Sequence, residues 1–350
     1  MECVYAAGTP LDIGRRLGAQ GRDAFASLIR PGPDFARLET ALPPGWLADV
    51  AGRIRAAFPA IWSELQGLAE GLDQPLEAVL LWNCRGDLAP TGPEGCSSVA
   101  VAGDGTSWLA HNEDGDPRLR PHCFLLDAEP ATTPGFVTFC YPGSLPGHTL
   151  AANTAGLAYT VNNLRLTEHP PGIPRMVTAR ALLGCADMDA ALAVLRGTRR
   201  SGGFHFMMAD CRGAAPLSVE APFHGLFTET AAPVAVHANH LVRPDAAALP
   251  QRITASSAAR QARLEAWLAT QDEGPPSPQA LLAILADRRD PVLPVHRTAP
   301  DDPDGENTLA TALFRLDPDG ITATVRASPD GAVVAERRLG PSSSAPPEHS

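Results

Sequence analysis

A layered α+β sandwich with largely antiparallel sheets is the fold class that this 350-residue sequence predicts. Three observations carry it. Helical periodicity fills the first 90 residues, β texture begins near Cys96, and blocks of helix and strand then alternate to the end. βαβ units are not evident, and neither G-x-G-x-x-G nor G-x-x-x-x-G-K-[ST] occurs, so nucleotide-binding folds have no support and no cofactor is implied.

The helical part opens with Leu11, Ile13, Leu17, Phe25, Leu28 and Ile29 at roughly helical spacing, ended by Pro31-Gly32-Pro33. Gly14, Gly18 and Gly21 inside it lower helix propensity but allow a neighbour to approach closely. A stronger periodic stretch runs from Trp46 to Leu72, and a short helix spans Pro75 to Trp82. Trp46, Trp62 and Trp82 read as core packing at this spacing. The segment Arg85 to Gly95, broken by Gly and Pro, reads as an exposed loop.

After Cys96 the expected strands are 122–127, 135–140, 149–152 and 156–162, then 204–210, 217–220, 225–230 and 234–239, and finally 309–316, 321–326 and 332–337. Helices are expected at 174–183, 188–196, 258–269 and 278–286, and the Ser/Pro-rich tail 341–350 as disordered. Ser144 is not a nucleophile elbow, because Pro142 and Pro146 hold the glycine places.

With a formal charge of -11 and only 28 Lys+Arg, a large phosphate-binding surface is excluded, which makes small molecules better partners than nucleic acid. Seven scattered cysteines, none spaced C-x-x-C, argue against a disulfide framework or zinc ribbon and fit a reducing compartment. The N-terminus lacks a basic then apolar signal pattern, and no run reaches the length of a membrane span. A cytoplasmic protein without membrane partners is expected.

The stretch Glu94 to Asp116 holds the chemistry. Two short apolar and β-branched runs flank Gly103-Asp104-Gly105, the signal of a hairpin with a three-residue loop. That loop pairs Ala102 with Thr106 and sets Cys96 opposite Asn112, with Asp114 a diagonal step away. A lone strand cysteine more often packs as a small hydrophobe, so its context decides. A papain-like dyad needs a cysteine at a helix N-terminus or beside an imidazole, whereas Cys96 starts a strand after a loop. Activation by the free α-amine made by cutting before Cys96 fits better: its pKa of about 7.7 to 8.0 suits it to take a thiol proton. Gly95 offers an unhindered carbonyl for the acyl shift.

Elsewhere, Asn162 and Asn163 end a strand, and His237-Ala238-Asn239-His240 ends another. His237 and His240 point to opposite faces of a strand, which disfavours a metal pair; His237 and Asn239 share a face, and Asn239 could donate to an oxyanion. A turn-forming asparagine is the plainer reading of Asn239.

Gly95-Cys96-Ser97-Ser98 followed by His111-Asn112-Glu113-Asp114 resembles the acyl-coenzyme A:6-aminopenicillanic acid acyltransferase (isopenicillin N acyltransferase-like) family of N-terminal nucleophile hydrolases. Cholylglycine and penicillin V hydrolases share the general plan. The likeness continues through Asn153-x-x-Gly156-Leu157, Ile173-Pro174, Arg180, Asp210-x-x-Gly213, Glu220 and His237-x-Asn239-His240, and so covers most of the chain. It implies an αββα four-layer sandwich that cuts itself between Gly95 and Cys96, leaving a helical α fragment (1–95) associated with a catalytic β fragment (96–340). In that scheme Cys96 is the nucleophile, Asp114 orients the amine, Asn239 is the oxyanion asparagine, and Asn162 or Asn163 binds the substrate amide. Arg297 matches a late arginine of the family, though His296 stands where a cysteine often precedes it.

The expected activity is therefore hydrolysis or transfer at a small N-acyl or β-aminoacyl amide, or at an acyl thioester such as an acyl-coenzyme A, through an acyl-enzyme at Cys96. Hydrolysis is favoured, since water is always present and no acceptor, adenine or pantetheine site is visible. The rival is a non-enzymatic binding or scaffold protein that keeps the sandwich, against which Gly95, Cys96 and Asp114 stand together.

Overall fold

The computed structural model describes residues 1–88, 94–271, 274–300 and 302–340. The expected disordered tail, 341–350, lies outside the described residues. Strands β1 (Glu2–Gly8), β2 (Glu94–Ala102), β3 (Ser107–Gly115), β4 (Phe124–Pro130), β5 (Phe136–Cys140), β6 (Leu150–Asn153) and β7 (Leu157–Asn163) come first. They are followed by β8 (Phe204–Asp210), β9 (Leu217–Ala221), β10 (Phe227–Thr230), β11 (Val234–His237), β12 (Asn307–Asp317), β13 (Gly320–Arg326) and β14 (Val333–Leu339). One sheet has the order β1-β4-β5-β6-β7-β8-β9-β10, the other β11-β2-β3-β12-β13-β14. Among the described strands every pairing is antiparallel except β1 with β4.

β1 corrects the expectation that helices alone fill the first 90 residues. Alternating burial of Val4 and Ala6 marks it as a strand, and its parallel ladder with β4 ties the N-terminal region into the larger sheet. The helices there are α1 (Pro10–Ala24), continued by a π-helical turn at Phe25–Ile29, then α2 (Pro33–Ala41), α3 (Trp46–Ala57), α4 (Pro59–Leu72) and α5 (Leu76–Trp82). The single long stretch expected from Trp46 to Leu72 is two helices, because Pro59 starts a new one after Phe58 leaves the helical conformation.

The glycines of α1 do what their spacing suggests. A Cβ on Gly14 or Gly18 would stand 2.1 or 2.4 Å from the carbonyl oxygens of Glu64 and Leu68, so α1 and α4 pack backbone to backbone. With α6 (Arg175–Leu182) and α7 (Met188–Gly197) these helices cover the outer face of the larger sheet in one apolar cluster containing Ile13, Leu68, Val177 and Leu192. A buried ion pair, Arg180 with Glu64, joins α6 to α4.

On the smaller sheet, beyond the one-turn α8 (Pro244–Ala247), α9 (Ala255–Leu268) and α10 (Pro278–Leu285) pack Leu264, Leu281 and Leu285 on Val99, Val101 and Ala110. Between the sheets lies a third cluster with Ala100, Leu109, Phe139, Ala158 and Met207. The layers are therefore α/β/β/α, an α+β sandwich.

Candidate active site

Cys96 opens the inward face of β2, and the hairpin decides its company. The observed register pairs Ala102 with Ser107, Cys96 with Glu113 and Gly95 with Asp114, one residue away from the expected pairing of Cys96 with Asn112. Thr106 belongs to the turn and not to the strand: Gly103 N–H donates to its carbonyl at 2.9 Å, and Gly105 takes φ +67, so the loop has four residues. A one-residue slip exchanges the faces of a strand. Glu113, not Asp114, therefore shares the face of the Cys96 thiol.

On that inward face Cys96 Sγ lies 3.6 Å from Glu113 Oε2, and His111 Nε2 lies 3.1 Å from the same oxygen. Tyr141 donates to Glu113 Oε1 at 2.8 Å. His111 Nδ1 is 2.8 Å from Ser98 Oγ, which also lies 2.8 Å from Asn162 Oδ1 and 3.0 Å from Thr160 Oγ1. Ser98 has one proton, and Asn162 Oδ1 can only accept it. His111 Nδ1 therefore donates to Ser98, and its Nε2 lone pair points at Glu113. Burial holds the His111 imidazole neutral, with its pKa lowered to about 3. A proton shared between Nε2 and Oε2 lets these two acceptors stand this close.

The network continues through Asn162 Oδ1 to His205 Nδ1 at 2.9 Å and on to Ser218 at 2.9 Å. His205 stacks on His237 with ring centroids 3.5 Å apart, and His237 meets Glu220 at 3.0 Å. His237 is thus a satisfied interior histidine, while His240 bonds Ser257 instead.

The outward face is packed with ions. Asp114 is fully buried, accepts from Thr308 at 2.6 Å, and lies in the field of Arg260 and Arg297. Burial still pushes its carboxyl group upward, and its Oδ2 has no hydrogen-bond partner among the described residues. Arg260, from α9, donates to the Cys96 carbonyl, to Ser97 Oγ at 3.1 Å and to Asn239 Oδ1 at 2.7 Å. Glu306 pairs with Arg297 and, at 2.9 Å, with Arg165. A Cβ on Gly95 would stand 2.2 Å from Glu306 Oε2, so any larger residue before Cys96 must push the Glu306 carboxylate aside.

Asn239 joins the site along the strand edge. β11 pairs His237 with Ser98, and that register carried two residues further sets Asn239 beside Cys96. Its Oδ1 accepts from Cys96 N–H at 2.8 Å, and its Nδ2 donates to the Asn163 carbonyl at 3.2 Å. Burial, then the charges of Glu113 and Asp114, drive the Cys96 thiol well above its ordinary pKa.

A cavity of about 70 Å³, open to solvent, reaches Cys96 and Glu113. Trp82, Arg85, Tyr141 and Asn163 are among its walls. Of the two strand-end asparagines, Asn163 lines the cavity and Asn162 belongs to the interior network. Arg85 and Asp87 are buried, contrary to the exposed loop expected there, while 89–93 of that loop lie outside the described residues. Arg297 meets Asp302, Glu306 and Ser256 and reaches the Gly95–Cys96 junction through Glu306, through Thr308, which bonds Asp114, and through Ser256, which also accepts from Arg260. Asn239 and Asp114 thus converge with Cys96, and Arg297 stands one residue behind.

Residues 101–329 match the family described as acyl-coenzyme A:6-aminopenicillanic acid acyl-transferase, which is more than half of the sequence. The chain belongs to that family. A Drosophila melanogaster beta-alanyl-dopamine/carcinine hydrolase is 26% identical over 228 residues, which are 55% of this chain and 56% of the relative; the chain thus spans about half the length of that relative. Among solved structures, a variant of conjugated bile acid hydrolase from Clostridium perfringens aligns over 70% of this chain and 92% of its own at 12% identity, with a TM-score of 0.48. Penicillin V acylase from Agrobacterium tumefaciens aligns over 68% and 84% at 15% identity, with a TM-score of 0.41. The activity in that family's description is acyl transfer.

Sequence reasoning missed Glu113, Arg260 and Glu306. Glu113 was hidden by the register. Arg260 carried a weak signal in the helical spacing of Ser256, Ser257, Arg260, Gln261 and Leu264, all buried, which is one face of α9.

Proposed function

We propose that Cys96 is the nucleophile of an amidohydrolase that matures by cutting its own Gly95–Cys96 bond and then turns over small N-acyl amides through a thioester at Cys96. The observation that carries this reading is the pair of groups at the junction. Asn239 Oδ1 already holds Cys96 nitrogen, and the buried Asp114 Oδ2 stands beside Gly95 without a hydrogen-bond partner among the described residues. Both suit the ammonium that cleavage would release.

In maturation the thiol sulfur attacks the Gly95 carbonyl carbon, the thiol proton passes to the departing Cys96 nitrogen, and water hydrolyses the Gly95 thioester. The uncut thiol is held protonated, so attack on substrate waits on the amine that self-cleavage frees. In turnover that amine takes the thiol proton, the thiolate attacks the substrate carbonyl, and Asn239 Nδ2, released from the Asn163 carbonyl, donates to the oxyanion. The proton then passes to the leaving amine, and water resolves the acyl-enzyme. Arg260 and, through Glu306, Arg297 position the junction. The 1–95 fragment stays attached through the β1–β4 ladder.

The relative's name makes a β-aminoacyl amide the first substrate to try. An acyl-coenzyme A donor is the transfer alternative. Intact-mass analysis tests the reading: the purified protein is expected as two fragments starting at Met1 and Cys96, and Cys96→Ala as one uncut, inactive chain. A wild-type chain that stays whole, or a Cys96→Ala variant that keeps full amidase activity, overturns it.

A further inference from the structure

We propose that Cys96, His111 and Glu113 form a preorganised site for one zinc-class divalent cation, and that the bound metal reversibly shuts off the Cys96 nucleophile. All three residues are buried, and their ligand atoms lie within 4.8 Å of one another. With bond lengths of roughly 2.3 Å to sulfur and 2.0 to 2.1 Å to nitrogen and oxygen, tetrahedral zinc needs edges of about 3.5 Å from sulfur to oxygen and about 3.3 Å from nitrogen to oxygen. The observed separations are 3.6 Å for Cys96 Sγ to Glu113 Oε2 and 3.1 Å for His111 Nε2 to Glu113 Oε2. Each atom would move by about 0.2 Å or less along these two edges; the third, Cys96 Sγ to His111 Nε2, lies within 4.8 Å and closes toward about 3.5 Å on binding.

The supporting contacts are those a metal site uses. Ser98 accepts from His111 Nδ1 and so fixes the tautomer whose Nε2 lone pair faces Glu113 Oε2, where it can ligate once the shared proton leaves. The Tyr141 hydroxyl, bonded to Glu113 Oε1, turns Oε2 toward Cys96 and His111. Cys96 and Glu113 line the cavity, which gives the ion a way in and leaves the fourth position facing solvent or a small ligand. On binding, the thiol proton and the proton shared between Nε2 and Oε2 both leave to solvent and the thiolate becomes a ligand, so sulfur cannot attack a carbonyl while metal is present. Soft sulfur with imidazole nitrogen and one carboxylate selects zinc over magnesium or calcium.

The site stands on donor geometry alone, while its inhibitory consequence rests on Cys96 being the nucleophile. The test is titration of the purified full chain with Zn²⁺ against a chromophoric chelator, paired with Co²⁺ spectroscopy. We expect one Zn²⁺ per chain, a thiolate-to-cobalt charge-transfer band, and at least tenfold weaker binding in Cys96→Ser and Glu113→Gln. Activity lost on adding Zn²⁺ should return with a chelator. Lack of zinc uptake at sub-millimolar concentration, or uptake that both variants leave unchanged, overturns the proposal, and the cobalt band on wild-type protein decides the case if a variant misfolds. A chain that cuts itself but takes up no metal would sink this inference alone; one that takes up metal but never cuts even when stripped of metal by a chelator would sink the maturation reading alone.

Discussion

The two faces of β2 and β3 at the Gly95–Cys96 junction are built from neighbouring residues and do opposite things. Inward, Cys96, Glu113 and His111 line or back an open cavity, with neutral histidines and hydroxyls behind them. Outward, Gly95, Asp114, Arg260, Arg297 and Glu306 form a closed ionic cluster in which a methyl group at Gly95 would displace the Glu306 carboxylate. The inward face is arranged for a ligand to enter and for sulfur to react. The outward face grips the main chain on either side of one peptide bond. A buried charge cluster tolerates no loss of a partner, whereas a cavity wall tolerates a polar isostere.

The largest expected effect tests that division directly. Asp114→Asn removes the carboxylate beside Gly95 and should slow both self-cleavage and turnover at least about a hundredfold, roughly 2.7 kcal/mol of transition-state stabilisation. Glu113→Gln keeps a group that can accept from Tyr141 and should slow cleavage by less than about tenfold. Quantifying the cut fraction over time by mass spectrometry checks both. If Glu113→Gln is the more damaging, the junction is run from the cavity side and the assignment of the two faces is reversed.

That contrast also marks what could be read from residues alone. The alternation of helical and β texture was enough for the layered class, because periods of 3.6 and 2 report which faces are buried. Cys96, Gly95 and Asp114 stood out by local pattern and resemblance, and the structure gathers them. The partner of the thiol did not stand out, because it depends on whether Thr106 belongs to the turn, a choice made by one backbone hydrogen bond and by the conformation of Gly105. Arg260 is 164 residues from Cys96 in sequence, and no local rule brings an arginine of an amphipathic helix to a distant carbonyl. The first strand was overlooked for a related reason: Glu2 to Gly8 is short, and its parallel partner begins only at Phe124.

A middle-sized effect probes the closed face by volume. In Gly95→Ala the new Cβ meets Glu306 Oε2, and Glu306 cannot retreat without disturbing Arg165 and Arg297. We expect a loss of ~1–3 kcal/mol in urea unfolding of the uncut Cys96→Ala background, as for other overpacked sites. A substitution that costs nothing there would mean that the outward face is loose, and the grip on the junction would have to come from Asn239 alone.

The smallest effect separates the faces by the sign of their pH dependence. His111 has a folded pKa of about 3, lowered chiefly by burial, so below about 6.5 the unfolded chain takes a proton that the folded chain refuses. Stability therefore falls as the pH drops from about 6.5 toward 3, by up to roughly 1.4 kcal/mol per pH unit for one such group. Asp114 works the other way: its folded pKa is raised by burial, the folded chain binds the proton first, and stability is regained as the pH falls through that raised value. A series of urea midpoints from pH 7 down to pH 4 in the uncut Cys96→Ala background exposes the two signs. His111→Gln should flatten the fall, and adding Asp114→Asn should remove the regain that sets in as the pH falls through the raised value. An unchanged slope in His111→Gln would mean that the inward histidine is charged, and with it would go the tautomer that points Nε2 at Glu113.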